Sequence, residues 1–137
     1  MAAFIEWSDK KLSIGIPSVD TQHKQLVALI NKLFEAMTTG KASTVMSEIF
    51  DELVKYTQNH FAFEENLFAT HKYGQIDAHK KEHATLVAQV ADLQTKFRAG
   101  SLTVSAATLN FLKDWLNNHI AISDKAYAPY LIEKGVK

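Results

Sequence analysis

Apolar residues recur at spacings of three and four over most of this chain, the pattern of helices that bury one face. The pattern is punctuated by Gly15 with Pro17, and then by Gly40, Gly74 and Gly100, with long segments between them. The sequence therefore predicts an all-α fold, an antiparallel up-down-up-down four-helix bundle with short loops.

The first two helices are predicted from their stripes and end signals. The first begins near Ser18 or Asp20, either of which could cap it, and ends before Gly40. The second runs from about Ala42 to Thr70. In both, polar residues interrupt an otherwise apolar inward face.

The last two helices complete the predicted bundle. The third runs from about Ile76 to Arg98 and closes at Gly100 as a glycine C-cap. The fourth begins between Ser101 and Ser105 and is expected to be kinked or broken at Pro129, because proline lacks the helical donor.

The residues before the first helix have no convincing helical period, although several are large and apolar. We expect an ordered N-terminal arm, residues 1–17, packed across a bundle of residues 18–135, with 1–137 forming one domain. The apolar residues of the arm are Phe4, Ile5, Trp7, Leu12, Ile14 and Ile16.

Charge and cysteine content exclude several classes of function. Lysine plus arginine (15) balance aspartate plus glutamate (15), so no field attracts nucleic acid. The absence of cysteine excludes disulfides, thiolate metal sites and thiol catalysis. With no signal-like start and no membrane-length apolar run, we expect a soluble, cytoplasmic protein without membrane insertion.

Histidines and carboxylates lie where these helices would place core leucines. Residues four apart share a helix face, so each such pair can converge on one centre. Burying Glu64 unpaired would cost several kcal/mol, and no basic residue occupies a matching inward position, so the pattern predicts bound metal. The inward polar residues are His23, His60, Glu64, His79, His83, His119 and Asp124.

Alternatives remain for individual members of this set. A single inward histidine such as His23 is more often a hydrogen-bonded core residue, and a pair such as His79 and His83 also occurs on solvated faces. His119 and Asp124 are five apart and should not share an α-helical face, unless a local bulge or a reach across the bundle brings Asp124 inward. His71 is expected at a helix end and not at the site.

The donor atoms indicate the kind of metal. Imidazole and carboxylate without sulfur suit iron or manganese, and the number of donors exceeds the four of a structural zinc site. Two octahedral metals with bridging carboxylates and a bridging hydroxide would keep one open position, where a small diatomic such as O2 could bind.

Four segments resemble motifs of the hemerythrin family, and the resemblance covers nearly the whole chain. The segments are DTQHK around His23, HFAFEE from His60, HKKEH from His79 and WLNNHIAISD from Trp115. The resemblance implies two iron ions, Fe2+ or Fe3+, joined by an oxo or hydroxo group, with O2 as the ligand. One iron would be held by His79, His83 and His119 and the other by His23 and His60, with Glu64 and Asp124 bridging.

The resemblance also implies a function and a pocket. The function is reversible O2 binding for transport or storage, without enzymatic activity. The alternatives are an oxygen or redox sensor and a di-iron redox enzyme acting as an oxidase, a peroxidase or in NO reduction. An O2-consuming enzyme or an electron donor as partner is left unidentified. Residues matching the family's O2 pocket, which also fit an ordinary core, are Leu26, Phe61, Trp115, Leu116 and Ile120.

Overall fold

A computed structural model of the chain describes residues 4–41, 43–100 and 106–137. All regular structure within these ranges is helical, which confirms the predicted all-α class. The elements are α1 (Asp9–Leu12), α2 (Pro17–Thr38), α3 (Ser43–Thr70), α4 (Ile76–Arg98), α5 (Ala106–Asn118), a π-helical segment (His119–Asp124) and α6 (Lys125–Glu133).

The long helices form a four-helix bundle, whose fourth member is the continuous run of α5, the π-helical segment and α6. Helix α2 packs on α3 and on α5, and α3 packs on α4. Consecutive helices joined by a short connection must reverse direction to pack side by side. The bundle therefore has the predicted antiparallel arrangement.

Helix α2 begins at Pro17, so the predicted cap at Ser18 or Asp20 was wrong. Proline suits the first helical position because its φ is already helical and its missing N–H would have no intrahelical acceptor there. The Asp20 carboxylate instead accepts hydrogen bonds from Ser13 Oγ (2.6 Å) and the Ile14 backbone N–H (2.9 Å). It thereby ties the arm to α2.

Glycines end helices of the bundle, as Gly40 and Gly100 show. Gly40 has a φ of 69°, and the chain turns so that the Lys41 N–H reaches the carbonyl of Ala36 at 2.9 Å. Gly100 has a φ of 77° and donates to the carbonyl of Phe97. This conformation suits glycine, which lacks Cβ, and the predicted end of the third helix at Gly100 is confirmed.

The prediction for the fourth helix is tested only in part. Its predicted start at Ser101 to Ser105 lies outside the described residues. Helix α6 continues through Pro129 to Glu133, so the expectation that the helix breaks there was wrong. Pro129 cannot donate to the carbonyl of Lys125, but that missing bond falls in the first turn of α6, where the chain leaves the π-helical register.

The arm packs onto the bundle through buried apolar side chains and one amide. Ile5, Leu12 and Ile14 are buried, and α1 contacts the π-helical segment. Asn31 of α2 accepts a hydrogen bond from the Ile5 N–H (2.7 Å) and donates one to the Ile5 carbonyl (2.9 Å). The single turn of α1, Asp9–Leu12, was not predicted, because one turn is too short to show a period.

The core runs along the bundle and encloses a group of polar side chains. Phe68 and Tyr127 lie edge to face, with ring centroids 4.8 Å apart, at one side of this group. The largest fully buried side chains are Tyr127, Phe50, Phe68, Ile16, Leu26, Ile30, Leu33, Leu53, Leu109, Leu112, Ile120 and Leu131. Across the described ranges, no helix combines the length and the apolar character needed to cross a membrane.

Candidate metal centre

Two regular helices supply four of the predicted ligands. His60 and Glu64 lie four residues apart on α3, and His79 and His83 lie four apart on α4. One α-helical turn places such pairs on the same face, and all four side chains are buried. The distance from His60 Nε2 to Glu64 Oε1 is 2.8 Å.

The fourth helix brings His119 and Asp124 together by a different device. These residues bound the π-helical segment, whose hydrogen bonds join residues five apart instead of four. Five residues therefore complete about one turn, and both side chains face the same point. His119 Nε2 lies 3.1 Å from Asp124 Oδ1. The local bulge considered from the sequence is thus present.

The Asp124 carboxylate lies between two groups of histidines. Its Oδ1 atom is 3.1 Å from the Nε2 atoms of both His79 and His119, whereas its Oδ2 atom is 2.9 Å from His23 Nε2. Each oxygen therefore faces a different group. This is the placement that a carboxylate needs to bridge two cations.

Glu64 presents mainly one oxygen to the centre. Its Oε1 atom lies 2.8 Å from His60 Nε2 and 3.7 Å from His83 Nε2. Its Oε2 atom accepts a hydrogen bond from the Tyr127 hydroxyl at 2.5 Å. Tyr127 therefore fixes the orientation of this carboxylate. Burial, together with the charges of Glu64 and Asp124, raises the pKa of Tyr127 well above its ordinary value, so the hydroxyl keeps its proton.

The seven side chains form two groups that could each hold a cation. Within each group the ligand atoms lie within 4.8 Å of one another, and Asp124 belongs to both. The groups are His79, His83, His119 and Asp124, and His23, His60, Glu64 and Asp124.

The facing atoms of these groups are buried without hydrogen-bond partners in the part of the chain that the structure describes. They are the five Nε2 atoms, Glu64 Oε1 and both Asp124 oxygens. In the same ranges no lysine or arginine forms an ion pair with Glu64 or Asp124. Orphaned buried donors and acceptors are costly, so the donor set fits metal cations.

Protonation in the metal-free protein reflects this crowding. Burial lowers the pKa of His83 to about 3, against the opposing charge of Glu64. Burial also acts to lower the pKa of His119, but the charges of Asp124 and Glu64 and the hydrogen bond to Glu82 raise it to about 9. Burial acts to raise the pKa of Asp124, yet the neighbouring histidines, His119 above all, hold it well below its usual range. Metal binding at His119 must therefore release a proton.

An apolar gap adjoins the histidines of both groups. It is lined by side chains from α2, α3, α4 and the fourth helix, and it leaves no room for the centre of a water molecule. Phe61 stacks flat on the His83 ring with centroids 3.8 Å apart, and Trp115 Nε1 donates to the Leu86 carbonyl at 3.3 Å. The lining residues are His23, Leu26, His60, Phe61, Leu86, Trp115, Leu116 and His119.

The chain matches the model of the family described as hemerythrin HHE cation binding domain over residues 14–131. The chain belongs to the hemerythrin family. The match includes all seven candidate ligands, and its description as cation binding agrees with the orphaned atoms described above.

Curated and solved relatives resemble this hemerythrin-family chain over most of its length. A bacteriohemerythrin of Methylococcus capsulatus is 38% identical over 129 residues, covering 94% of this chain and 98% of its own. A bacteriohemerythrin of Stenotrophomonas maltophilia is 39% identical and covers 92% of this chain and 80% of its own. The crystal structure of a wild-type hemerythrin superposes with a TM-score of 0.88 at 37% identity, covering 94% of this chain and 98% of that one.

The structure brings all seven predicted ligands together, but only part of the predicted pocket lines the apolar gap. Four of its five residues line the gap, whereas Ile120 is fully buried and is not among the lining residues. Leu86 completes the wall and was not predicted.

His71 follows the last residue of α3, and its carbonyl accepts from the Tyr130 hydroxyl at 2.5 Å, so it lies at a helix end as expected.

Other residues that contact the site were missed by sequence reasoning. Gln22, Glu65 and Glu82 reach the outer nitrogens of ligand histidines, and Tyr127 reaches Glu64. Gln22, Glu65 and Glu82 each stand next to a ligand in the sequence, so adjacency was an available signal. Nothing in the local pattern marked Tyr127, which lies 63 residues from Glu64.

Proposed function

We propose that this chain binds two iron ions and uses them to bind O2 reversibly, as a carrier or store. The observation that carries the proposal is the pair of buried ligand groups joined through the two oxygens of Asp124. Membership of the hemerythrin family supports it, because these relatives are hemerythrins by name.

The proposed ligands divide between two positions. His79, His83 and His119 would hold one iron, and His23 and His60 the other, while Asp124 and Glu64 would bridge. Iron pairs of this kind supply the electrons that bind O2 and recover them on release. The chain orients the rings and carboxylates and keeps the site dry.

The apolar gap supports a diatomic ligand over a larger substrate. It reaches His23, His60 and His119 and is otherwise lined by apolar side chains, so it suits a small apolar ligand, whereas a larger substrate would have to displace much of its wall. Leu26, Phe61, Trp115 and Leu116 would contact O2, with Ile120 packed in the core nearby. Excluding water protects a reactive adduct, which favours binding without turnover. We therefore propose a non-enzymatic role.

An anaerobic optical titration of the reduced, iron-loaded protein with O2 tests this proposal. The expected result is two irons per chain and a visible charge-transfer band that appears with O2 and disappears on deoxygenation, over repeated cycles. Irreversible conversion to an oxidised form after one exposure would contradict reversible binding. Fewer than two irons would contradict the dinuclear site.

A redox-sensing role is the second candidate, and one contact favours it. Helix α1 of the arm packs on the π-helical segment that carries His119 and Asp124. A change of iron oxidation state that moved this segment would move the arm. Hydrogen exchange of residues 4–16 in the reduced and oxidised proteins is the measurement. Exchange rates that are the same in the reduced and oxidised proteins would contradict the sensing role.

The remaining assignments are proposals of the same kind. We propose that residues 1–137 form one domain, with residues 1–17 as the arm and 18–135 as the bundle. The cytoplasmic location stays a prediction. Any partner that consumes the O2 or returns electrons to the site also remains to be identified.

A further inference from the structure

A second layer of side chains links each bundle helix to the next around the centre. Three times, a residue beside a ligand on one helix contacts the outer Nδ1 atom of a histidine on the following helix. The contacts are Gln22 Oε1 to His60 (2.6 Å), Glu65 Oε2 to His83 (3.1 Å) and Glu82 Oε1 to His119 (2.8 Å).

The fourth step of this series is absent. Ser123, beside Asp124, does not reach His23 but donates to Glu82 Oε1 at 2.5 Å. His23 Nδ1 is buried and has no hydrogen-bond partner among the described residues. The two cation positions therefore have different second layers.

The difference is one of charge. The carboxylates of Glu65 and Glu82 both contact histidines of the group formed by His79, His83 and His119. The group of His23 and His60 has instead one neutral amide, from Gln22. A histidine that binds metal through Nε2 carries its proton on Nδ1 and donates it outward. A carboxylate acceptor makes the ring a more basic ligand than an amide acceptor does.

We propose that Glu65 and Glu82 are positioning residues that make the three-histidine position the tighter of the two, so that it fills first. The inference rests on the proposed function only in requiring two cations at these groups. Gln22 holds His60 in place without adding charge, and no described residue gives His23 such support. The second position is consequently weaker and fills later.

Glu82 is better held than an ordinary surface carboxylate. It is partly exposed, but it takes bonds from both His119 and Ser123. Its charge is thus directed at a single ligand ring. Glu65 makes the same contact with His83 from α3.

Competition titration of the metal-free full chain with Co2+ and a chelator tests the proposal. Wild-type protein is expected to bind two ions in separate steps. In a Glu65→Gln and Glu82→Gln double variant the first step should weaken by about 10–100-fold, the usual effect of losing such an outer partner. Glutamine keeps the size and an acceptor oxygen, as Gln22 does for His60, so the change isolates charge.

Two further variants separate the effect of the outer charge on metal affinity from an effect of misfolding. Gln22→Glu gives the second group a carboxylate, so the weaker step should tighten and the two steps should converge. This gain would not follow from a merely structural role, and it tests the proposal even if the double variant fails to fold. Glu48→Gln, the same chemical change at an exposed position of α3, is the matched control and should alter neither step.

The outcomes separate this inference from the proposed function. Two wild-type ions bound with equal affinity would overturn the inference alone, as would Glu65→Gln and Glu82→Gln protein that folds and binds like wild type. Failure of the chain to bind two ions would overturn the dinuclear site itself. Reversible O2 binding by the iron protein is measured separately and does not depend on the filling order.

Discussion

The two sides of the metal centre are built from different kinds of backbone. On α3 and α4 the ligands are four apart on regular helix, as in His60 with Glu64 and His79 with His83. On the fourth helix His119 and Asp124 are five apart and meet only because the chain between them is π-helical. Regular periodicity suffices to bring each of these pairs to one helix face.

The irregular segment supplies the residue with the most demanding role. Asp124 must direct one oxygen to His79 and His119 and the other to His23. A π-helical turn is an uncommon conformation that is found frequently at functional sites. Here it is retained where a single carboxylate joins both groups. The distortion is therefore concentrated at the ligand that faces both groups with separate oxygens.

The largest effect should come from removing that shared ligand. Asp124→Ala removes two oxygens, one facing each group, so we expect loss of both metals. Glu64→Ala removes a carboxylate that presents mainly one oxygen, so we expect a smaller loss of iron. Iron per chain after reconstitution is the measurement. Asp114→Ala, at an exposed position of α5, is the control. Equal iron loss in the Asp124 and Glu64 variants would contradict the difference drawn between the two sides.

A large effect on folding is expected from removing the ring of Phe68, which packs against residues of both α4 and the fourth helix. It is fully buried, with its ring centroid 4.9 Å from His79 and 4.8 Å from Tyr127. Phe68→Ala should lower the free energy of unfolding by about 3–5 kcal/mol, because it creates a cavity. Urea unfolding of metal-free protein checks this, with the more exposed Phe111→Ala as control. Similar losses in both variants would contradict the assigned role of Phe68.

An intermediate effect is expected from the bond that connects the two sides. Tyr127→Phe removes the hydroxyl that donates to Glu64 Oε2 and leaves a buried acceptor unsatisfied. The free energy of unfolding of metal-free protein should fall by about 1–3 kcal/mol. Tyr56→Phe, at a half-buried position of α3, is the matched control. A Tyr127 effect no larger than the Tyr56 effect would show that the bond does not stabilise the fold.

The smallest expected effect is a difference in local opening between the two kinds of backbone. In metal-free protein, backbone amides of residues 119–124 should exchange several-fold faster than those of residues 79–83, because the π-helical segment has less regular backbone hydrogen bonding and carries the bridging carboxylate. Metal should slow exchange most in residues 119–124. Native-state hydrogen exchange measures the rates of the two segments in each form. If residues 119–124 and 79–83 exchanged equally fast, both without and with metal, the two kinds of backbone would not differ in local opening.

Much of this molecule was predictable because its helices follow simple periodicity. The extent of α3 and α4 and all the inward polar residues except Asp124 were predicted from stripes at spacings of three and four. The start of α2 was missed because Pro17 opens the helix without a side-chain cap. The continuation of α6 through Pro129 was missed because the sequence does not show where π-helical hydrogen bonding gives way to α-helical hydrogen bonding before it.

The second layer of the site could not be derived from periodicity. Glu65 and Glu82 appear in the sequence as solvated acidic residues, and only the packing of adjacent helices brings them to His83 and His119. Asp124 was supported by family resemblance, since a regular helix would turn it away. Backbone irregularity and contacts between helices depend on the assembled bundle, so they are visible only in the structure.

A crystal structure of the iron-loaded protein, with anomalous scattering measured at the iron edge, would locate the metals themselves. We expect two iron peaks, one within bonding distance of His79, His83 and His119 and one within bonding distance of His23 and His60. Asp124 should contact both irons through separate oxygens. A single iron, or two irons that do not share the Asp124 carboxylate, would overturn the proposed dinuclear centre.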